Sequence, residues 1–135
     1  MERMKREMIP DSHPVNRISG QVVEASIEVH SQLGPGLLES AYELCLAREL
    51  KERGLTVDRQ VGVPIRYKGV ELEAGYRIDL LVEKELIVEI KATEALLPIH
   101  EAQLMTYLKL MNLRLGLLLN FNKRLMKNGI QRVVY

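Results

Sequence analysis

Residues 76–91 read Y-R-I-D-L-L-V-E-K-E-L-I-V-E-I-K, and their period decides what kind of domain the chain can form. Tyr76, Ile78, Leu80 and Val82 fall on every second position, and so do Leu86, Val88 and Ile90 after a charged interruption at Glu83-Lys84-Glu85. Apolar side chains at period two line one face of a β-strand. Two such runs separated by a few polar residues read as an antiparallel hairpin. Three residues sit badly in it. Asp79 lies inside the first run, where Asp is disfavoured, and Glu89 and Lys91 interrupt the otherwise apolar second run. Period two puts Glu89 and Lys91 on one face, about 6.5–7 Å apart. If Val82 pairs with Leu86, Asp79 lies opposite Glu89, with Cα atoms roughly 4.5–5.5 Å apart. A two-residue connection would send the two carboxylates to opposite faces. The expectation is therefore an odd connection, three residues at 83–85, or an equivalent bulge.

Working outward, Pro98 opens a helix expected over Ile99 to Met111, ended by Asn112. The run L-R-L-G-L-L-L-N-F at 113–121 is short, bounded and nearly all apolar, so it reads as a central strand buried on both faces. Strand, helix and strand over 86–120 make a parallel crossover. Residues 122–129 read as a polar loop and Ile130–Val134 as a last strand. Upstream, Val57, Val61, Val63, Ile65 and Tyr67 alternate, so 56–67 reads as one strand, interrupted on that face by Arg59 and marked as an edge or bulge by Pro64. Lys68-Gly69 is a turn, with a short return strand at Val70–Leu72. Ile18, Val22, Ala25, Val29 and Leu33 form a helical stripe closed by Gly34-Pro35. A second helix is expected from about Leu37 to Arg53, stopped by Gly54. The order is α-α-β-β-β-α-β with a terminal strand: a mixed sheet flanked by helices in a single domain over 14–135, preceded by a flexible leader at 1–13.

Composition agrees with one globular domain. The chain has 135 residues, 47% hydrophobic and 27% charged, with 19 Lys+Arg against 18 Asp+Glu for a formal charge of +1. A near-neutral protein with five Tyr, one Phe and no Trp does not coat nucleic acid electrostatically or by stacking. It is still free to touch a few phosphates at one site. Cys45 is the only cysteine, which excludes an internal disulfide and a multi-thiolate zinc site. The charged N-terminus lacks the apolar core of roughly 7–15 residues that a secretory signal needs. No apolar stretch approaches the ~20 residues that cross a bilayer. The expected location is the cytoplasm, with no membrane partner.

Two adjacent carboxylates repel unless a cation shares them. Hard oxygen donors without Cys or an obligatory His suit Mg²⁺ or Mn²⁺. Such an ion polarises a phosphoryl oxygen and acidifies bound water, and a lysine beside it offsets developing negative charge. This set fits phosphodiester hydrolysis. A G-x-S-x-G elbow and a Gly-rich phosphate loop are both absent. Read singly, the residues have plainer explanations: Glu89 and Lys91 as a solvated pair on an edge strand, Asp79 as a strand end, Glu39 as a helix N-terminal acid favoured by the dipole. His30 reads as a packing or capping histidine, and His100 as a solvent histidine.

Asp79 followed by Glu89-Ile90-Lys91 resembles the PD-(D/E)xK nuclease motif, with Ile78 where that signature has Pro. The stretch G-P-G-L-L-E-S-A-Y holds Gly36-x-x-Glu39-x-x-Tyr42 and resembles the signature of the GxxExxY proteins, a nuclease-like branch of that superfamily. Gln103 and Tyr107, in P-I-H-E-A-Q-L-M-T-Y-L, resemble the branch's following helix. The resemblance spans roughly residues 15–134 and implies a restriction-endonuclease-like αβββαβ core, with an extra N-terminal helix and a C-terminal strand. It implies Asp79, Glu89, Glu39 and the Ile90 carbonyl as metal ligands, with Lys91, Glu39, Asp79 and Glu89 in catalysis. Gln103 and Tyr107 would meet the substrate backbone or support Lys91. It implies Mg²⁺ or Mn²⁺ as cofactor and nucleic acid as partner, DNA ahead of RNA. The alternative is a catalytically silent nuclease-like module that binds nucleic acid or a protein. A homodimer through the first helix or the terminal strand is compatible with either.

Overall fold

The computed structural model describes residues 9–135; the first eight residues of the expected leader lie outside them. Residues 10–13 form a turn in which the His13 N–H donates to the Pro10 carbonyl at 2.9 Å. His13 then caps the first helix, accepting the Val15 N–H on Nδ1 at 3.1 Å, with Pro14 at the first helical position where no N–H is needed. This helix, α1, spans Pro14–Leu33. Helix α2 spans Glu39–Glu52, β1 Val57–Gly62, β2 Ile65–Tyr67, β3 Val70–Leu72, β4 Arg77–Val82 and β5 Leu86–Lys91. Helix α3 spans Pro98–Met111, β6 Leu115–Asn120 and β7 Ile130–Val134, with a short 3-10 turn at Met126–Gly129 before β7.

The main sheet has the order β1-β4-β5-β6-β7, parallel only between β5 and β6. β5 is thus the middle of five strands, which removes the reading of Glu89 and Lys91 as an exposed edge pair. The expected single strand at 56–67 is two strands in two sheets. Pro64 has no N–H to give a ladder, and the Val63 N–H donates to the Tyr76 carbonyl at 2.8 Å, so the chain leaves the sheet there. β2 and β3 form a separate two-stranded ribbon with mostly exposed side chains.

Two apolar layers sandwich the sheet. On one face Leu86, Val88 and Ile90 pack with Val22, Ala25 and Val29 of α1 and Tyr42, Leu46 and Leu50 of α2. On the other, Ile87 and Leu118 pack with Leu104, Tyr107 and Leu108 of α3. The α3 face comes very close to β6: a Cβ on Gly116 would stand 2.8 Å from a Leu104 methyl. Only glycine lets the helix settle at that distance. All six residues of β6 are buried, as the apolar run demanded. His30 packs its ring against Phe121 and bonds the Lys123 carbonyl at 2.7 Å, so it is a packing histidine. The other doubtful histidine, His100, caps α3 by accepting the Leu97 N–H at 3.0 Å. Among the described residues no helix is long and apolar enough to cross a membrane.

Candidate active site

The β4–β5 hairpin closes through residues 83–85 in the expected register: Val82 opposite Leu86, Leu81 opposite Ile87, Leu80 opposite Val88. One step on, Asp79 and Glu89 face each other and the backbone ladder stops. Each carboxylate instead reaches across to a main-chain amide. The Asp79 N–H donates to Glu89 Oε2 at 2.8 Å, and the Ile90 N–H donates to Asp79 Oδ2 at 2.8 Å. Both bonds are short and take the place of ladder bonds. Each acid has one oxygen tied into the opposing strand, and the two are locked as a reciprocal pair. Glu89 lies on the α3 side, two positions beyond Ile87, and Lys91 follows on the same side.

Glu89 is only 6% exposed. Burial, reinforced by the negative charge of Asp79, pushes its carboxyl up to about 8; the Asp79 N–H and the Lys91 ammonium oppose the rise. Lys91 is half-buried and makes no ion pair or side-chain hydrogen bond among the described residues. It therefore stands beside two acids with its donors uncommitted. Tyr107, buried on α3, is raised above the ordinary phenol range by burial and then by the charge of Glu89, while a hydrogen bond with Gln103 opposes this. Gln103 is exposed on the same helix, four residues earlier. The ring of Tyr76, ahead of β4, lies 6.3 Å from that of Tyr107.

Glu39 arrives from the other side of the sheet. It opens α2, and its Oε2 accepts the Ala92 N–H at 3.1 Å, directly after Lys91. The G-x-x-E-x-x-Y stretch explains how it is held. Gly36 has φ 106°, which side-chain-bearing residues rarely adopt. The Tyr42 hydroxyl donates to the Gly34 carbonyl and accepts the Leu37 N–H at 3.1 Å, while its ring stacks on Phe121 at 4.5 Å. Tyr42 thus pins the loop that presents Glu39. No group of three or more His, Cys, Asp or Glu side chains stands close enough to hold a metal ion among the described residues. Asp79 and Glu89 form the pair, and Glu39 stands at its margin.

Several further residues near the site carry little or no signal in the sequence. Asn120 is fully buried at the end of β6; it accepts the Thr93 and Asn122 N–H groups and donates to the Thr93 carbonyl, fixing the turn after Lys91. Its only sequence signal was a lone amide in an apolar run. Glu43, one turn after Glu39, is 6% exposed and paired with Arg59 at 3.0 Å. That pairing explains why Arg59 broke the alternation of β1. Gln60 donates to Glu43 Oε1 at 2.6 Å and to Asp79 Oδ1 at 3.3 Å. Nothing in the sequence marked it.

The donor set is all oxygen, and two closely apposed acids call for a positive charge between them, which fits a small hard divalent cation. A groove of about 590 Å³ between α1 and α2, lined by Val29, Leu33, Leu44, Cys45 and Ala47, holds none of Glu39, Asp79, Glu89 or Lys91. The acid pair therefore lies apart from that concavity. A model of the PD-(D/E)XK nuclease superfamily matches residues 16–133. Comparison with curated proteins and with solved structures finds no match. From the family match, and with the restriction-endonuclease-like sheet and helices described above, the chain belongs to the PD-(D/E)XK nuclease superfamily.

Proposed function

We propose that the chain is a cytoplasmic, Mg²⁺- or Mn²⁺-dependent nuclease of the GxxExxY branch that hydrolyses phosphodiester bonds, in DNA before RNA. The observation that carries the reading is the reciprocal Asp79–Glu89 pair on the central hairpin, with Lys91 uncommitted two residues on. A retired site would have little reason to keep a buried acid beside a second acid, which costs stability.

The cation, when bound, supplies Lewis-acid activation of water and of the scissile phosphate. Asp79, Glu89 and the Ile90 carbonyl would hold it, with Glu39 joining directly or through water. Glu89 would have to shed its proton to act as a ligand, so metal affinity would rise with pH. Lys91 orients the attacking water and lends positive charge to the phosphorane-like transition state. Gln103 and Tyr107 meet the substrate backbone from α3. A second reading, a silent binding module, draws on Glu39 standing apart from the pair and on the +1 net charge.

The test is cleavage of labelled single- and double-stranded DNA and RNA with Mg²⁺ or Mn²⁺, by wild type, Asp79→Ala and Lys91→Ala. Cleavage by wild type alone is expected. Cleavage that survives both substitutions places the chemistry elsewhere, and no cleavage by wild type with no metal uptake favours the silent module.

A further inference from the structure

Gln60 is the least expected residue near the site. It lies in β1 between two regular cross-strand pairs, Arg59 with Leu80 and Val61 with Ile78, yet it does not pair with Asp79. No residue has been inserted, because the register is the same on both sides, so the break is not a bulge. Gln60 instead has φ 51°, a left-handed conformation in which a Cβ crowds the following carbonyl. The residue is exposed, so no demand of core packing forces it there. Strain of this kind persists only where the surroundings hold it in place.

Those surroundings are polar and specific. The Gln60 side-chain amide donates to Glu43 Oε1 at 2.6 Å and to Asp79 Oδ1 at 3.3 Å, and its backbone carbonyl accepts Arg77 Nη1 at 3.3 Å. The other Glu43 oxygen takes Arg59 Nε and Nη2 at 3.2 and 3.0 Å. Glu43 is buried on α2, so its position is set by the helix. Asp79 has one oxygen tied to the Ile90 N–H, and its second meets only this amide among the described residues. A carboxylate held at one oxygen can still swing its other; an amide fixed from α2 stops the swing.

We propose that Gln60 is a positioning residue: anchored by the Glu43–Arg59 pair, it sets the orientation of the Asp79 oxygen that is left for a divalent cation. This rests on the metal-dependent reading above, and the left-handed backbone is what brings the amide within reach of both acids. Outer-shell bonds of this type orient ligands and shape affinity without touching the metal.

The experiment is calorimetric titration of the full chain with Mn²⁺ well below the melting temperature, where every variant is folded. It compares wild type, Gln60→Gly, Gln60→Asn and Val61→Ala, with a thermal melt of each. Gln60→Gly keeps the backbone conformation and removes the amide, and is expected to bind Mn²⁺ about tenfold more weakly. Gln60→Asn also tolerates φ > 0 and keeps a shorter amide, and should recover part of that loss. Val61→Ala, a neighbour in β1 without a polar group, should lower the melting temperature and leave affinity unchanged. Equal affinity for wild type and Gln60→Gly overturns the assignment. So does a loss in Val61→Ala as large as that in Gln60→Gly, since weakening would then follow stability alone. Wild type that takes up no Mn²⁺ overturns the metal-dependent reading itself, and is distinguishable from both.

Discussion

The two ends of the β4–β5 hairpin are built from the same two strands and obey opposite rules. At the turn end, Leu80, Leu81 and Val82 pair with Val88, Ile87 and Leu86, the ladder is regular, and all six side chains are buried and apolar. At the other end the ladder stops, and two carboxylates take the backbone amides that strands would otherwise share. The turn end lowers the free energy by removing apolar area from water. The open end raises it by burying an acid beside another acid. Such arrangements cluster at functional sites, and the hairpin sets packing residues beside candidate working ones within a span of a few residues.

Substitutions should separate the two ends. The largest effect is expected on turnover: Lys91→Ala should lower metal-dependent cleavage by roughly 10²-fold or more, with far-ultraviolet circular dichroism and melting close to wild type. If instead Lys91→Ala unfolds the protein, the open end is structural and the contrast fails. Next, Ile87→Ala at the closed end removes a fully buried side chain packed under α3. It should cost about 2–5 kcal/mol in urea unfolding, and the remaining folded protein should keep its metal affinity.

Acid-base linkage gives the third test. Glu89 has an ordinary carboxyl value of 4.5 when unfolded and about 8 when folded. Below 4.5 both states hold the proton and pH has no effect through this group. Between 4.5 and 8 only the folded state holds it, so stability falls as pH rises, by roughly 1 kcal/mol per pH unit in the absence of metal. Glu89→Gln should flatten that slope and be more stable than wild type near pH 8. An unchanged slope would mean that Glu89 is ionised in the folded protein. Saturating Mn²⁺ should also flatten it, by drawing off the proton. The smallest effect is expected at the turn itself: Lys84 pairs with Asp58 at 2.8 Å but is 74% exposed. Lys84→Ala should change stability by less than about 1 kcal/mol and leave cleavage intact.

Much of this contrast was legible in one dimension. The register followed from period-two alternation and a three-residue turn, and the register alone put Asp79 opposite Glu89. The central place of β5 followed from the apolar run that became β6. What was not legible came from contacts between distant segments. Pro64 marked an edge or bulge in one strand, but the break there and the separate ribbon at β2 and β3 emerged only in the fold, where the Val63 N–H meets the Tyr76 carbonyl. Glu43 looked like any helical acid until Arg59 and Gln60 met it from β1. The G-x-x-E-x-x-Y spacing named Glu39 and Tyr42 together. Only the fold showed that Tyr42 serves by holding the loop while Glu39 faces the site.

By itself, then, the sequence determined the elements apart from the split at 56–67, their order, the hairpin register and the identity of the paired acids, because periodicity and turn length act along the chain. The tertiary structure decided which oxygens are tied and which are free, how far Glu89 is driven toward its protonated form, and that Gln60 is held left-handed against Asp79. Those depend on burial and on donors brought from α2, β1 and β6, and neither dielectric nor long-range geometry is written in the spacing of residues.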